Sequence, residues 1–384
     1  MSFFSTHKTL GILGGGQLGK MLLYTTRKWD IKTHVLDPSE EAPCKLACDY
    51  FEVGDFKDFQ TVYNFGKKVD VLTFEIEHVN LDALKKLEKE GVDVYPSAAT
   101  LETIQNKCTQ KDFYVSHKIP TAKHQNFENT DQLINAVEKG SLNFPFVWKS
   151  ALLGYDGNGV SVVRNQEKLA QLPKVACLAE ELVPFTHELA VIICRNPSGE
   201  VVAYPTVEME FHPEANQVEY VLCPSRLNKK ITEKAKSIAL KVSESFEHVG
   251  LLAVELFLTA TGVILVNEVA PRPHNSGHVT LETSYTDQFE QHIRAILDLP
   301  LGNPENKVSG VMVNLVGAEK HTGAVYYEQM NNILKMSGVT PHIYGKKETR
   351  PFRKMGHVTI INKDLETARK IAENVKKTIQ VISK

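Results

Sequence analysis

Two apolar runs, 251–258 and 263–269, flank Thr261 and Gly262. Short β-rich runs around a glycine-containing turn specify a hairpin. With Thr261 and Gly262 as the two turn residues, Ala260 pairs with Val263, and counting outward sets Glu255 opposite Glu268. Like charges directly opposite on one sheet face repel, so this hairpin is costly unless something positive lies between them. A hard divalent cation such as Mg²⁺, which takes carboxylate and phosphate oxygens, resolves the conflict. A solvated strand face is the plainer alternative, but here the acids interrupt otherwise apolar strands. Directly beyond, Pro271, Arg272, Pro273, His274, Asn275, Ser276, Gly277 and His278 are too polar and proline-rich for core. A cation, two imidazoles, an amide and a hydroxyl beside an acidic pair read as the centre of an active site.

At 384 residues the chain exceeds one average domain, so two or three domains with substantial cores are expected. Lys+Arg 44 against Asp+Glu 46 leaves a formal net charge of −2. That argues against a general nucleic-acid or acidic-membrane surface, though not against a local phosphate pocket. No run is long and apolar enough to span a membrane, and the first residues lead into a glycine turn rather than a cleavage site. The six cysteines are scattered without a C-x-x-C, which reads as reduced thiols rather than a disulfide frame or zinc site. A cytoplasmic protein without nucleic-acid or membrane partners is expected.

The strand 9–13 runs into Gly14, Gly15, Gly16, Gln17, Leu18 and Gly19 and then a helix, the context a phosphate-binding G-x-G-x-x-G requires. Asp37 ends the next strand, near the place of a ribose-binding acid in a dinucleotide fold. A glycine turn at a helix N-terminus also suits any phosphate or carboxylate, or simply close strand–helix packing. Strands at 69–74 and 92–95 continue the alternation, implying a parallel sheet with ligands beyond the carboxyl ends of its strands. Gln17, Glu75 and Glu77 fall on that edge. A charged helix over 100–117 leads to a junction at Ile119, Pro120 and Thr121.

A second glycine loop, Gly154 to Gly159, joins strands 146–149 and 160–163. Its backbone N–H groups suit phosphates, and Lys149 beside it supplies a point charge. Glu180, Glu181, Leu182, Val183 and Glu188 lie between the β-rich runs 175–178 and 189–194, where backbone can meet a base and a carboxylate a ribose. An amphipathic helix spans 229–248, another 286–297, and the tail from about 308 is β/α again, with five cations between 344 and 357. A solvated basic turn is the commoner meaning of such a run.

A phosphate-grade glycine turn, a lysine with a glycine flap and an acidic pair together describe phosphoryl transfer by clamping and metal bridging. The chain resembles the ATP-grasp ligases, and among them the N5-carboxyaminoimidazole ribonucleotide synthetases. The likeness rests on GILGGGQLGKM at 11–21, TFEIEHV at 73–79, GYDGNG at 154–159, NEVAPRPHNSGH at 267–278, TDQFEQHIRAILDLPLG at 286–302 and RKMGH at 353–357. It implies an α/β, ATP-grasp fold with an N-terminal Rossmann-like domain over 1–118, a lid subdomain over 119–185, a catalytic subdomain over 186–305 and a C-terminal α+β domain over 306–384.

The resemblance further implies that ATP and hydrogencarbonate form carboxyphosphate, which carboxylates the exocyclic amine of 5-aminoimidazole ribonucleotide. Lys107 and Lys149 would contact ATP phosphates beneath the flap of Gly154, Tyr155, Asp156, Gly157, Asn158, Gly159 and Val160. Glu180, Glu181, Leu182 and Val183 would hold adenine, Glu188 the ribose, and His212 would lie near the nucleotide. Glu255 and Glu268 would bind Mg²⁺, or Mn²⁺ in its place, with Asn267 adjacent. Arg272, His274 and Asn275 would surround hydrogencarbonate and carboxyphosphate, and Gln17, Glu75, Tyr155, Asp156, Lys346 and Arg353 the aminoimidazole nucleotide. Arg272 can meet a carboxylate or phosphate bidentately, and Asp156 could accept the amine's proton. A homodimer is the family's expectation.

Two positions depart from the family pattern. Asn158 and Val160 replace a flap Lys and Gln, so one phosphate-closing cation is missing. Ala270 stands where many ATP-grasp enzymes carry a metal-binding Asn, which leaves the metal more dependent on Glu255 and Glu268. The formate-dependent glycinamide ribonucleotide transformylases are near relatives, but Asn275, Ser276, Gly277 and His278 favour the synthetases. An NAD-dependent dehydrogenase would explain only the first glycine turn and Asp37, and a non-catalytic nucleotide-binding regulator only part of the set.

Overall fold

The computed structural model describes residues 3–4, 7–152, 159–212 and 217–384. The first part is an all-parallel sheet of β1 (Thr9–Leu13), β2 (Lys32–Asp37), β3 (Tyr50–Val53), β4 (Val71–Phe74) and β5 (Asp93–Val94), ordered β3-β2-β1-β4-β5. Every residue of β1 and β4 is buried, as central parallel strands covered on both faces require. Helix α1 (Gln17–Lys28) leaves the glycine turn and buries Met21 and Leu22 against the sheet's core.

The segment expected as a lid holds a four-stranded antiparallel sheet in the order His124–Phe127, Cys177–Glu181, Phe146–Ser150, Val160–Val163. The helix Thr130–Glu138 packs Leu133 and Ala136 with Phe146 and Trp148. Glu180 and Glu181 close the strand Cys177–Glu181, and Glu188 lies inside Phe185–Arg195. Both strands therefore reach into the stretch expected to connect them.

The largest sheet runs Ile264–Ala270, Gly250–Thr259, Phe185–Arg195, Val207–Phe211, Val218–Cys223, Ser309–Val316, Lys354–Asn362 and Val339–Ile343, with Val201–Ala203 paired to Phe185–Arg195. Its strands come from both sides of position 305, joined where Val218–Cys223 pairs with Ser309–Val316. The helix Lys229–Phe246 buries Ala235, Ala239, Val242 and Phe246 against Leu189, Val191, Leu252 and Val254. Those spacings of three and four form one apolar stripe.

The charged helix expected over 100–117 is two helices, Ala98–Gln105 and Lys107–Ser116. Asn106 is extended (φ −108°, ψ 111°), and its Oδ1 accepts from Cys108 N (2.9 Å) and Thr109 N (3.3 Å). An Asn side chain that bonds nearby amides competes with helix continuation and caps a new start. Lys107 is thereby the first residue of a helix, its N–H donating to Ala151 O at 2.9 Å.

Candidate active site

The acidic hairpin differs from its expected register. Thr259 N donates to Val263 O (2.9 Å), Gly262 N donates to Thr259 O (3.0 Å), and Gly262 has φ +79°. The turn holds three residues, 260–262, rather than two, a length that places its last residue in the left-handed region glycine favours. Leu256 faces Val266 and Val254 faces Val269, with a register shift between them. The bulge leaves Glu255 across from both Asn267 and Glu268 instead of Glu268 alone. Asn267 Nδ2 donates to Glu255 Oε2 at 3.4 Å, so an amide shares the space between the acids.

Cations from three other segments converge here. Lys107 ion-pairs with Glu268. Lys149 Nζ donates to Asn267 Oδ1 (2.9 Å) and lies 3.1 Å from Glu180 Oε2. His274 Nε2 is 3.3 Å from Glu255 Oε1, and Arg272 is 3.1 Å from Glu77 Oε1. Glu188 pairs with Phe257, two residues from Glu255, so the three share a sheet face. Burial, then Glu268 and Glu188, pushes the Glu255 carboxyl up. Burial pushes Glu268 up as well, yet Lys107 and Lys149 hold it well below the usual carboxylate range. Burial raises Glu188 to about 7, with Glu268 adding to it. Two adjacent acids with opposite shifts form a polarised site, of the kind that recurs where charge is handled.

The first glycine turn is filled by the chain itself. Glu75 Oε1 accepts from Gly16 N (2.8 Å), and Oε2 accepts from Leu18 N (3.0 Å) and Gly19 N (3.1 Å). Asp37 Oδ2 accepts from Gly15 N (2.7 Å) and Oδ1 from Ser39 N (2.8 Å). Gly14, at φ +97°, makes the turn tight enough for this. The amides a dinucleotide phosphate would need are taken, and so is the acid expected at its ribose. The dehydrogenase reading loses both its features. Neither Glu75 nor Glu77 is plain solvated surface.

Gln17 is the first residue of α1 and half-buried. Lys20, one turn on, donates to Ile343 O at 2.9 Å, which holds the basic segment of the tail against this end of the N-terminal sheet. In that segment Lys346 Nζ donates to Lys354 O (2.8 Å) and Arg353 to Glu348 O (2.6 Å). The His212 ring lies 6.3 Å from that of Phe352. Asn275 and Asn314 exchange reciprocal amide hydrogen bonds, both 2.9 Å. Glu181 is exposed, Leu182 half-buried and Val183 buried. Gly159 and Val160 lead into the strand paired with Lys149. Gly154, Tyr155, Asp156, Gly157 and Asn158 lie outside the described residues.

Of the two imidazoles expected at the centre, only His274 faces the acids. His278 is buried to 2% exposure and stacks on His357 at 4.7 Å, which stacks on His342 at 4.5 Å. Gln288 meets His278 Nδ1 (2.9 Å) and Tyr344 meets His357 Nδ1 (3.1 Å). Burial keeps His278 and His357 well below the ordinary imidazole range, consistent with a packed interior. Phe257 went unnoticed in the sequence, although its spacing of two from Glu255 signals the same face. Its ring stacks on Phe185 at 4.5 Å and 7°.

A small antiparallel sheet beside a large antiparallel one, with lysines from the small sheet and from a helix start converging on an acidic hairpin, is the arrangement of an ATP-grasp protein. Three known families match the chain in succession: the ribonucleotide synthetase preATP-grasp domain over residues 7–105, the ATP-grasp domain over 112–289 and the phosphoribosylaminoimidazole carboxylase C-terminal domain over 310–371. The chain belongs to the N5-carboxyaminoimidazole ribonucleotide synthase family: it is 37% identical to the Bacillus subtilis protein of that name over 356 residues, covering 92% of this chain and 91% of that one.

It is also 39% identical over 367 residues to the chloroplastic phosphoribosylaminoimidazole carboxylase of Vigna aconitifolia, covering 93% of this chain. The chain spans 65% of that relative's length. The crystal structure of N5-carboxyaminoimidazole ribonucleotide synthetase from Thermotoga maritima superposes with a TM-score of 0.90 at 40% identity, covering 98% of this chain and 100% of that one. The Aspergillus clavatus synthase in complex with ADP and 5-aminoimidazole ribonucleotide superposes with a TM-score of 0.88 at 32% identity, covering 97% and 98%.

Proposed function

We propose that this protein uses ATP to join hydrogencarbonate to the exocyclic amine of 5-aminoimidazole ribonucleotide, forming N5-carboxyaminoimidazole ribonucleotide, ADP and phosphate for purine biosynthesis. The observation that carries the reading is the polarised face where Lys107 and Lys149 meet Glu268 and Asn267 beside Glu255. Its four-part division at 118, 185 and 305, its action as a homodimer and a cytoplasmic location belong to the same proposal. Among the described residues no helix is long and apolar enough to cross a membrane.

Lys107 and Lys149 are the phosphate ligands, exchanging their present partners for phosphate oxygens under the flap 154–160. Glu180, Glu181, Leu182 and Val183 hold adenine, with the Phe257 ring as its platform; Glu188 holds the ribose, and His212 closes on the nucleotide. Among the described residues no three His, Cys, Asp or Glu side chains cluster to hold a metal. Glu255 and Glu268 with the Asn267 amide are nonetheless hard oxygen donors, and a set of two carboxylates completed by phosphate oxygens suits Mg²⁺ or Mn²⁺. The cation, when bound, neutralises charge on the transferring phosphoryl group.

Arg272 and His274 orient hydrogencarbonate and the carboxyphosphate made from it, and Asn275, locked by Asn314, fixes the turn that presents them. Lys346 and Arg353 hold the 5′-phosphate of the aminoimidazole nucleotide, which Gln17, Tyr155 and Asp156 orient. Glu75 shapes that pocket as the fixed cap of α1. Supporting this are the Aspergillus complex with ADP and 5-aminoimidazole ribonucleotide and the Lys20 bond that brings the basic segment beside Gln17.

The test is ATP hydrolysis with Mg²⁺, with and without 5-aminoimidazole ribonucleotide and hydrogencarbonate. Phosphate release is expected to rise with the nucleotide and to drop by at least ~10²-fold in Glu268→Gln. Well-folded protein without nucleotide-stimulated release would sink the reading. Stimulation by formate with glycinamide ribonucleotide instead would assign the chain to the transformylase reaction.

A further inference from the structure

Lys111 lies one turn inside the helix Lys107–Ser116 and is buried to 2% exposure. Its Nζ donates to Thr121 Oγ1 (2.8 Å) and sits 3.2 Å from Glu180 Oε1. The other oxygen of the same carboxylate, Oε2, is 3.1 Å from Lys149 Nζ. Glu180 thus bridges two ammonium groups, one buried in a helix and one at the end of a lid strand. Thr121 donates onward to Val266 O (2.8 Å), next to Asn267 in the acidic hairpin. The Tyr114 ring lies beside it, its centroid 5.9 Å from Lys111 Nζ.

A buried ammonium is expensive, and apolar replacement of a buried ion pair is often neutral or stabilising. Burial pulls Lys111 down to about 8, against the pull of Glu180. Packing alone therefore gives little reason for a lysine here. The need appears when Lys149 changes partners. A buried Glu180 with Lys149 as its sole cation would hold that lysine back from a phosphate, because releasing it would strand a carboxylate in a low-dielectric interior. With Lys111 on the second oxygen, Glu180 keeps a counter-charge when Lys149 leaves.

We infer that Lys111 is a positioning residue for nucleotide binding: it holds Glu180 so that Lys149 can exchange Glu180 and Asn267 for a nucleotide phosphate. The inference rests on the proposed reading of Lys149 as a phosphate ligand. Lys111→Met is expected to raise the KM for ATP and the Kd for ADP about 10- to 30-fold. The KM for aminoimidazole ribonucleotide and kcat should stay within about threefold, and Lys111→Arg should recover most of the loss. A purely structural role would move all the constants together.

Because Lys111→Met removes one of the two cations on a buried carboxylate and can fail to fold, the deciding measurement is a double-mutant cycle read by ADP titration calorimetry. The double variant Lys111→Met with Glu180→Gln buries no unpaired charge from this pair, and its ADP affinity is expected within about threefold of Glu180→Gln alone. If Lys111→Met costs tenfold or more in the Glu180→Gln background, or nothing in the folded single variant, the inference is overturned while the nucleotide reading stands. Wild type that binds no ADP would overturn both.

Discussion

Two regions of this chain are equipped to hold an anion, and they use that ability in opposite ways. At the glycine turn the ligands are backbone N–H groups, and two of the chain's own carboxylates already satisfy them: Glu75 caps α1 and Asp37 closes Gly15. At the acidic hairpin the ligands are side chains, Lys107 and Lys149, paired with Glu268 and Asn267. Backbone amides cannot turn away from a bound carboxylate without unwinding the helix start, whereas an ammonium on a flexible stem can change partners. The first arrangement is architecture, and the second is the one free to serve as the proposed site. A phosphate-grade sequence motif therefore marks an anion-holding geometry, and the structure decides whether a ligand or a carboxylate of the same chain occupies it.

The strongest way to break this contrast is Glu75→Ala. Removing the carboxylate leaves three amides of the helix start without their acceptor, and a loss of about 3–5 kcal/mol in unfolding free energy is expected, read from urea denaturation. Burial already pushes Glu75 upward, against the Gly19 and Gly16 amides and Arg272, so the side chain is held there at some cost. A variant within ~1 kcal/mol of wild type would mean the turn is not closed by this residue, and the motif would again be available to a ligand.

The hairpin face should show the reverse: removing a charge there stabilises. Glu188 is raised from 4.5 to about 7, by burial first and then by Glu268. The folded chain binds this proton more tightly than the unfolded one. The stability it contributes is therefore full below pH 4.5 and is lost as pH rises through about 7. Allowing for partial exposure, the loss is ~2–3 kcal/mol. Glu188→Gln is expected to exceed wild type in stability by ~2 kcal/mol at pH 8 and to match it at pH 4, while binding ADP more weakly. Identical urea midpoints for the two proteins at pH 8 would show that this face stores no electrostatic tension.

The strand–glycine–helix start, the parallel sheet, the helix over 229–246 and the acidic hairpin were legible because each is a local pattern of period two or 3.6 with its own turn residues. What stayed hidden depends on contacts between distant segments. Glu75 meets the glycine turn across 59 residues, and nothing local marks that it will. Lys111 looks like any surface lysine of a charged helix until Glu180 and Thr121 arrive from the lid junction. The bulge that sets Asn267 beside Glu268 is a one-residue register choice, which strand periodicity cannot fix. The second imidazole of the segment 271–278 misled for a related reason: His278 looks like site chemistry and is instead stacked on His357 in the interior.

The smallest effect separates the two regions most cleanly, because it compares two helix caps. Asn106 caps the helix that begins at Lys107, and Asp58 caps Phe59–Gly66, accepting from Thr61 N at 2.7 Å. Replacing either by Ala removes an acceptor for helix-start amides and should cost ~1 kcal/mol of stability. Only Asn106 precedes a lysine of the acidic face, one whose N–H also holds Ala151 at the edge of the flap. Fraying that first turn loosens Lys107 with it. Asn106→Ala is thus expected to weaken ADP binding by about threefold, ~0.7 kcal/mol, and Asp58→Ala to leave it unchanged. Equal ADP affinities in two equally destabilised variants would mean that Lys107 finds its partners whether or not its helix start is fixed, and that the hairpin face owes nothing to the backbone beneath it.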